Sequence, residues 1–97
     1  MRFKITDSDF RTTGERVIRE LEAYAEEQDG WQIAPDNREG IRVSFGKNDG
    51  DGWFLLRLSV HDPILPLNIE SDSEGGVAII KEKVLDFLKK QDGVEVK

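Results

Sequence analysis

The chain has 97 residues, 37% hydrophobic and 35% charged, with a formal net charge of −6 and no cysteine. One soluble globular domain, residues 1–97, is expected, large enough for a modest core but not for a core plus a deep catalytic cleft. The acidic balance argues against a nucleic-acid module, and the missing cysteines exclude a disulfide framework, a thiol nucleophile and a thiolate metal site. No apolar run approaches the ~20 residues of a membrane span, and the N-terminus lacks the apolar core of a signal peptide, so no membrane partner and a cytoplasmic location are expected.

Arg2 to Thr6 alternates, with Phe3 and Ile5 apolar between polar neighbours, and predicts a short strand. Thr6, Asp7, Ser8 and Asp9 supply turn residues and candidate caps for a helix in which Val17, Ile18, Leu21, Tyr24 and Ala25 recur at helical spacing. Glu15, Arg19, Glu22, Glu26 and Glu27 lie on its solvated side, and Asp29-Gly30 stops it. Trp31 to Ala34 reads as a short edge strand ended by Pro35, followed by a turn over Asp36 to Gly40.

Ile41, Val43 and Phe45 alternate with Arg42 and Ser44 and predict a half-buried strand. The glycine- and aspartate-rich Gly46 to Gly52 suits a hairpin connection to a strand over Trp53 to Val60. Leu65, Leu67 and Ile69 mark the next strand. Ser71-Asp72-Ser73-Glu74 is a capping sequence for a second helix with Val77, Ile80, Val84, Phe87 and Leu88 on its apolar stripe. Asp92-Gly93 is expected to end that helix, and the last four residues to fray.

This order predicts an α+β, two-layer domain, with an antiparallel sheet of four to five strands and both helices on one face. Phe3, Ile5, Ile41, Val43, Phe45, Leu65, Leu67 and Ile69, together with Phe54, Leu56, Leu58 and Val60, would meet the helices. Leu56, Leu58, Leu67, Ile69, Leu21 and Val84 are expected in the core. The other sheet face would show Arg2, Lys4, Arg42, Ser44, Arg57, Ser59, Asn68 and Glu70, a surface polar enough to stand bare or to dock on another domain.

Arg57 and Ser59 interrupt an otherwise apolar strand and fall on one side of it, next to a loop that ends at Pro63. A guanidinium fork and a hydroxyl on the same side are donors suited to an oxyanion. The bland reading is a pair of exposed strand residues. Arg57-Leu58-Ser59-Val60-His61-Asp62-Pro63, followed by Glu70 at the end of the next strand, resembles the phosphate-binding loop in the C-terminal, fourth domain of the α-D-phosphohexomutases, the phosphomannomutases and phosphoglucomutases. The family pattern there is Arg-x-Ser-x-Thr-Glu-Pro, then apolar residues and a strand ending in Glu-Ala. Arg57, Ser59, Pro63 and Glu70 match it, Asp62 replaces Glu, His61 stands where threonine is usual, and Pro66 where a second arginine often stands. The resemblance extends from Ile41 to about Leu88 and is weak before that.

The resemblance implies a TBP-like domain whose Arg57, Ser59, Val60 amide and His61 bind the phosphate of a hexose phosphate that is not being transferred. It also implies a parent enzyme, with further domains and Mg²⁺, that interconverts hexose 1- and 6-phosphates through a phosphoserine. The family's Ser-His-Asn-Pro nucleophile loop and Gly-Glu-x-Ser-Gly sugar loop are absent from these residues, so no catalytic residue, metal ligand or cofactor is assigned within the domain. Asn48-Asp49-Gly50-Asp51-Gly52 is similar to the family's Asp-Gly-Asp-Gly-Asp metal loop but has Trp53 in place of the third aspartate, and is read as a hairpin turn. His61, the one histidine, has the bland reading of a polar loop residue; as a site residue it would donate a hydrogen bond. Trp31 and Trp53 are read as core or domain-interface packing. The alternative function is a non-catalytic interaction domain of the same fold, with the polar sheet face as its partner surface.

Overall fold

The structure is a computed structural model and describes residues 1–35 and 40–96. The chain runs β1 (Arg2–Ile5), α1 (Phe10–Glu26), β2 (Gln32–Ile33), β3 (Gly40–Ser44), a 3₁₀ turn (Lys47–Asp49), β4 (Gly52–Arg57), β5 (Ile64–Ser71), α2 (Gly76–Leu88) and β6 (Val94–Glu95). The strands form one antiparallel sheet in the order β2-β3-β4-β5-β1-β6. Both helices pack on one face of it, which makes the domain two-layered α+β. The turn read over Asp36 to Gly40 lies outside the described residues as far as residue 39.

Period-2 alternation in the strands and helical spacing in α1 and α2 meet in a single core. Phe3 and Ile5 of β1, Ile41 and Val43 of β3 with Phe45 just beyond it, Phe54 and Leu56 of β4, and Leu65 and Leu67 of β5 are all buried. Facing them are Val17, Leu21 and Ala25, one helical stripe of α1, and Ile80, Val84, Phe87 and Leu88 of α2. Burying each of the larger side chains stabilises the fold by roughly 1.5–3 kcal/mol against exposure. Trp31 sits half-buried at the edge of this core, its ring edge-on to Tyr24 and Phe45 at 5.5 and 5.2 Å. Across the sheet, the registers Arg42↔Leu55↔Asn68 and Ser44↔Trp53↔Glu70 place these residues on the bare face. There the Arg42 guanidinium lies 4.3 Å from the centre of the Trp53 ring, a cation–π contact.

Several expectations are corrected. β4 stops at Arg57, and Val60 is 64% exposed, because the chain leaves the sheet before the alternation can return it to the core. Leu58 and Ile69 pack against the core only half-buried. Val77 is 45% exposed, since α2 turns its Ile80, Val84 and Phe87 stripe inward and its first turn is buried through Gly76, which lies against Ser71 and Gly50. Nor do Ser71 to Glu74 cap α2. The helix starts from Gly75 at φ +78, with no side-chain cap, because the chain reverses there through a left-handed conformation that glycine adopts without strain. Ser71 Oγ is instead turned toward the hairpin tip, against the carbonyls of Gly50 and Asp51.

The C-terminus does not fray over Val94–Glu95: it pairs with Lys4 and Ile5 as a sixth strand. α2 ends at Leu88, and Gly93, whose carbonyl accepts from the Thr6 amide at 2.8 Å, belongs to the turn into β6. At the other helix the candidate caps resolve to Asp9. Its carboxylate accepts from the Thr12 amide at 3.3 Å and the Thr12 hydroxyl at 2.8 Å. Among the described residues no helix is long and apolar enough to cross a membrane.

Candidate functional site

Between β4 and β5 the chain makes a six-residue loop, Leu58 to Pro63. Its shape follows from local chemistry. The Ser59 amide donates to the Ile64 carbonyl at 3.1 Å and closes the loop, and the Asp62 amide donates to Ser59 Oγ at 3.4 Å, as serine does in turns of its own making. Pro63 has no N–H to satisfy, and its carbonyl accepts from the Ile5 amide at 2.7 Å, which ties the loop to β1. From the other side α1 holds it. Arg11 donates from Nη2 to the Val60 carbonyl at 3.5 Å, and Gly14 lies flush against the Leu58 side chain.

The donors that this leaves are specific. Ser59 Oγ accepts from within the loop, so its hydroxyl proton is free to point elsewhere. Among the described residues, the Arg57 guanidinium has no acceptor within hydrogen-bonding distance, and neither do the amides of Val60 and His61. One guanidinium, one hydroxyl and two successive backbone amides, all within five consecutive residues, are donors of the types that hold a tetrahedral oxyanion.

Beside the loop runs a groove of about 720 Å³ between α1 and the end of β4. Arg57, Leu58 and Val60 form one wall, and Glu15, Arg19, Glu22 and Glu26 stand along the other. Among the described lining residues three glutamates stand against two arginines, and the glutamates all lie on α1, so an anion is favoured at the loop and not along the helix wall. The structure thus brings Arg57 and Val60 to one groove, keeps Ser59 half-buried as the pin of the loop, and leaves His61 exposed on it. Arg11 was not found from the sequence. It looks like any polar residue in a first helical turn, and its contact spans 49 positions.

The metal-loop likeness does not survive its surroundings. Asp51 Oδ2 accepts from Ser73 Oγ at 2.8 Å, and the backbone around it folds on itself, with the amides of Asp49 and Asp51 both donating to the Gly46 carbonyl at 3.0 and 2.9 Å. These residues do not fit a metal ion, and among the described residues no group of three or more His, Asp or Glu side chains does. They form the hairpin turn read from the sequence. No protein-family model matches this chain, and no curated protein matches it.

Proposed function

We propose that the domain binds the phosphate group of a hexose phosphate through Arg57, Ser59, the Val60 and His61 amides and the His61 ring. On this reading it is the substrate-anchoring, TBP-like domain of a cytoplasmic phosphohexomutase, in which a serine and Mg²⁺ supplied by other domains carry the chemistry. The observation that supports it is the donor set on the loop: among the described residues the Arg57 guanidinium and the two adjacent amides have no acceptor, and the Ser59 hydroxyl proton is not used by the bond that its oxygen accepts. A phosphate monoester offers three terminal oxygens, which those donors can share. Holding it fixes the sugar relative to a nucleophile elsewhere and converts an encounter into a positioned reactant. By itself the chain anchors and does not transfer.

Titration with inorganic phosphate and with a hexose phosphate, read by amide chemical shifts, should perturb Arg57 to Pro63 before any other segment. Arg57→Lys should weaken the response about threefold to tenfold, because the ammonium keeps the charge and loses the bidentate fork. Largest shifts at Asp49 to Gly52 or along α1 overturn the reading.

One observation favours the second reading, a non-catalytic interaction domain. The bare sheet face carries exposed Arg2, Lys4 and Arg42, outnumbering Glu70 and Glu95 on the same face, beside half-buried Trp53 and Leu55, while α1 is rich in glutamate. That division of charge suits an acidic partner surface. Substituting Arg2 and Lys4 by glutamate would abolish such docking and leave the phosphate response of the loop unchanged.

A further inference from the structure

The loop contact made by Arg11 has a geometric consequence for the amide beside it. In a trans peptide the carbonyl and the following N–H point in opposite directions, and among the described residues there is no cis peptide bond. The Val60 carbonyl and the His61 amide belong to one peptide unit. With Arg11 Nη2 on that carbonyl at 3.5 Å, the plane is oriented so that the His61 N–H faces away from α1, with no acceptor among the described residues. We infer that Arg11 is a positioning residue for anion binding: it holds the Val60–His61 peptide so that the His61 amide is presented to the phosphate.

Three features of the molecule carry this. Arg11 has a fixed base, since it lies two residues after the Asp9 cap of a 17-residue helix whose first turn is tied by the Thr12 bonds. The helix and the loop keep a constant separation, because Gly14 one turn on abuts Leu58 and the Ile5 amide holds the Pro63 carbonyl. The contact also polarises the peptide. A cation at the carbonyl oxygen draws charge from the amide and makes its N–H a stronger donor on the opposite side, the cooperative effect seen along hydrogen-bond chains. Arg11 thereby acts on the anion through the peptide and not by touching it.

The inference rests on the phosphate reading of the loop, and the experiment separates the two. Inorganic phosphate is titrated into the full 97-residue chain and into Arg11→Ala and Arg11→Lys variants, with amide shifts followed by NMR and unfolding temperature measured alongside. The wild type should show a saturable shift at the His61 amide. Arg11→Ala should lose about threefold to tenfold in affinity, because the His61 bond to the anion is weakened by misorientation and not removed, with the His61 shift reduced most and the unfolding temperature little changed. Arg11→Lys should restore most of the affinity, because an ammonium also donates to a carbonyl; a bidentate contact to phosphate would not survive that change. If Arg11→Ala binds phosphate as the wild type does, or if Arg11→Lys is as weak as Arg11→Ala, the positioning role is overturned while the phosphate loop stands. If the wild-type Arg57 to Pro63 amides do not respond to phosphate at all, the phosphate loop itself falls, and the inference with it.

Discussion

Replacing Gly14 by alanine sets two effects of similar size against each other at the place where α1 meets the loop. Alanine in a helix interior is worth about 1 kcal/mol over glycine. A Cβ on Gly14, however, would lie 2.4 Å from Leu58 Cδ1, 3.0 Å from Cδ2 and 3.2 Å from Cγ. Rotation about the last side-chain torsion exchanges the two methyls and leaves Cγ where it is, so relief requires a change at χ1 or a shift of the loop backbone. Overpacking of that kind costs about 1–3 kcal/mol. The net expectation for Gly14→Ala is therefore a destabilisation of up to about 2 kcal/mol, and near 1 kcal/mol the unfolding temperature falls by about 4–8 °C for a domain of this size. In a Leu58→Ala background the obstacle is gone, and the same substitution should stabilise by about 1 kcal/mol. Urea unfolding of the four proteins of this cycle should give a Gly14–Leu58 coupling of about 1–3 kcal/mol. Equal stabilisation by Gly14→Ala in both backgrounds would refute the close approach of α1 to Leu58, and with it the account of what holds the loop in place.

Leu56→Ala removes a side chain with 0% exposure from the middle of the sheet and should cost about 2–5 kcal/mol in urea unfolding; a loss under about 1 kcal/mol would contradict its place in the core. Asp9→Ala should cost about 0.5–2 kcal/mol, and hydrogen exchange should show the first turn of α1 opening while Leu21 and Ala25 stay protected.

What was legible beforehand is what repeats along the chain. The alternation in Ile41, Val43 and Phe45 and in Phe54 and Leu56 put those residues on the buried face, because a strand has no other way to place successive side chains. Val17, Leu21 and Ala25 did the same for α1. The hairpin between β3 and β4 was equally readable, since its glycines and aspartates have turn conformations as their common use. The order of strands was not, and it is the pairing of β5 with β1 that brings Ile5 to Pro63 and fixes one side of the loop.

The departures share one cause. Val60 continues an apolar alternation and Val77 an apolar stripe, yet each lies just past the point where the backbone changes direction, and a periodic pattern carries no signal of where a strand or helix leaves the core. Ser71 to Glu74 has the composition of a cap, but the Ser71 hydroxyl donates to carbonyls of the hairpin tip some twenty positions earlier, and α2 starts with no side-chain cap. Val94 and Glu95 form a strand because β1 offers an unpaired edge, which nothing in their own sequence records. In the candidate site, Arg57 and Ser59 stand out in sequence as donors in an apolar strand. Ser59 pins the loop through its near neighbours Asp62 and Ile64, but that Arg57 has no acceptor among the described residues and that Arg11 reaches Val60 depend on how segments far apart in the chain come together, and only the tertiary structure determines that.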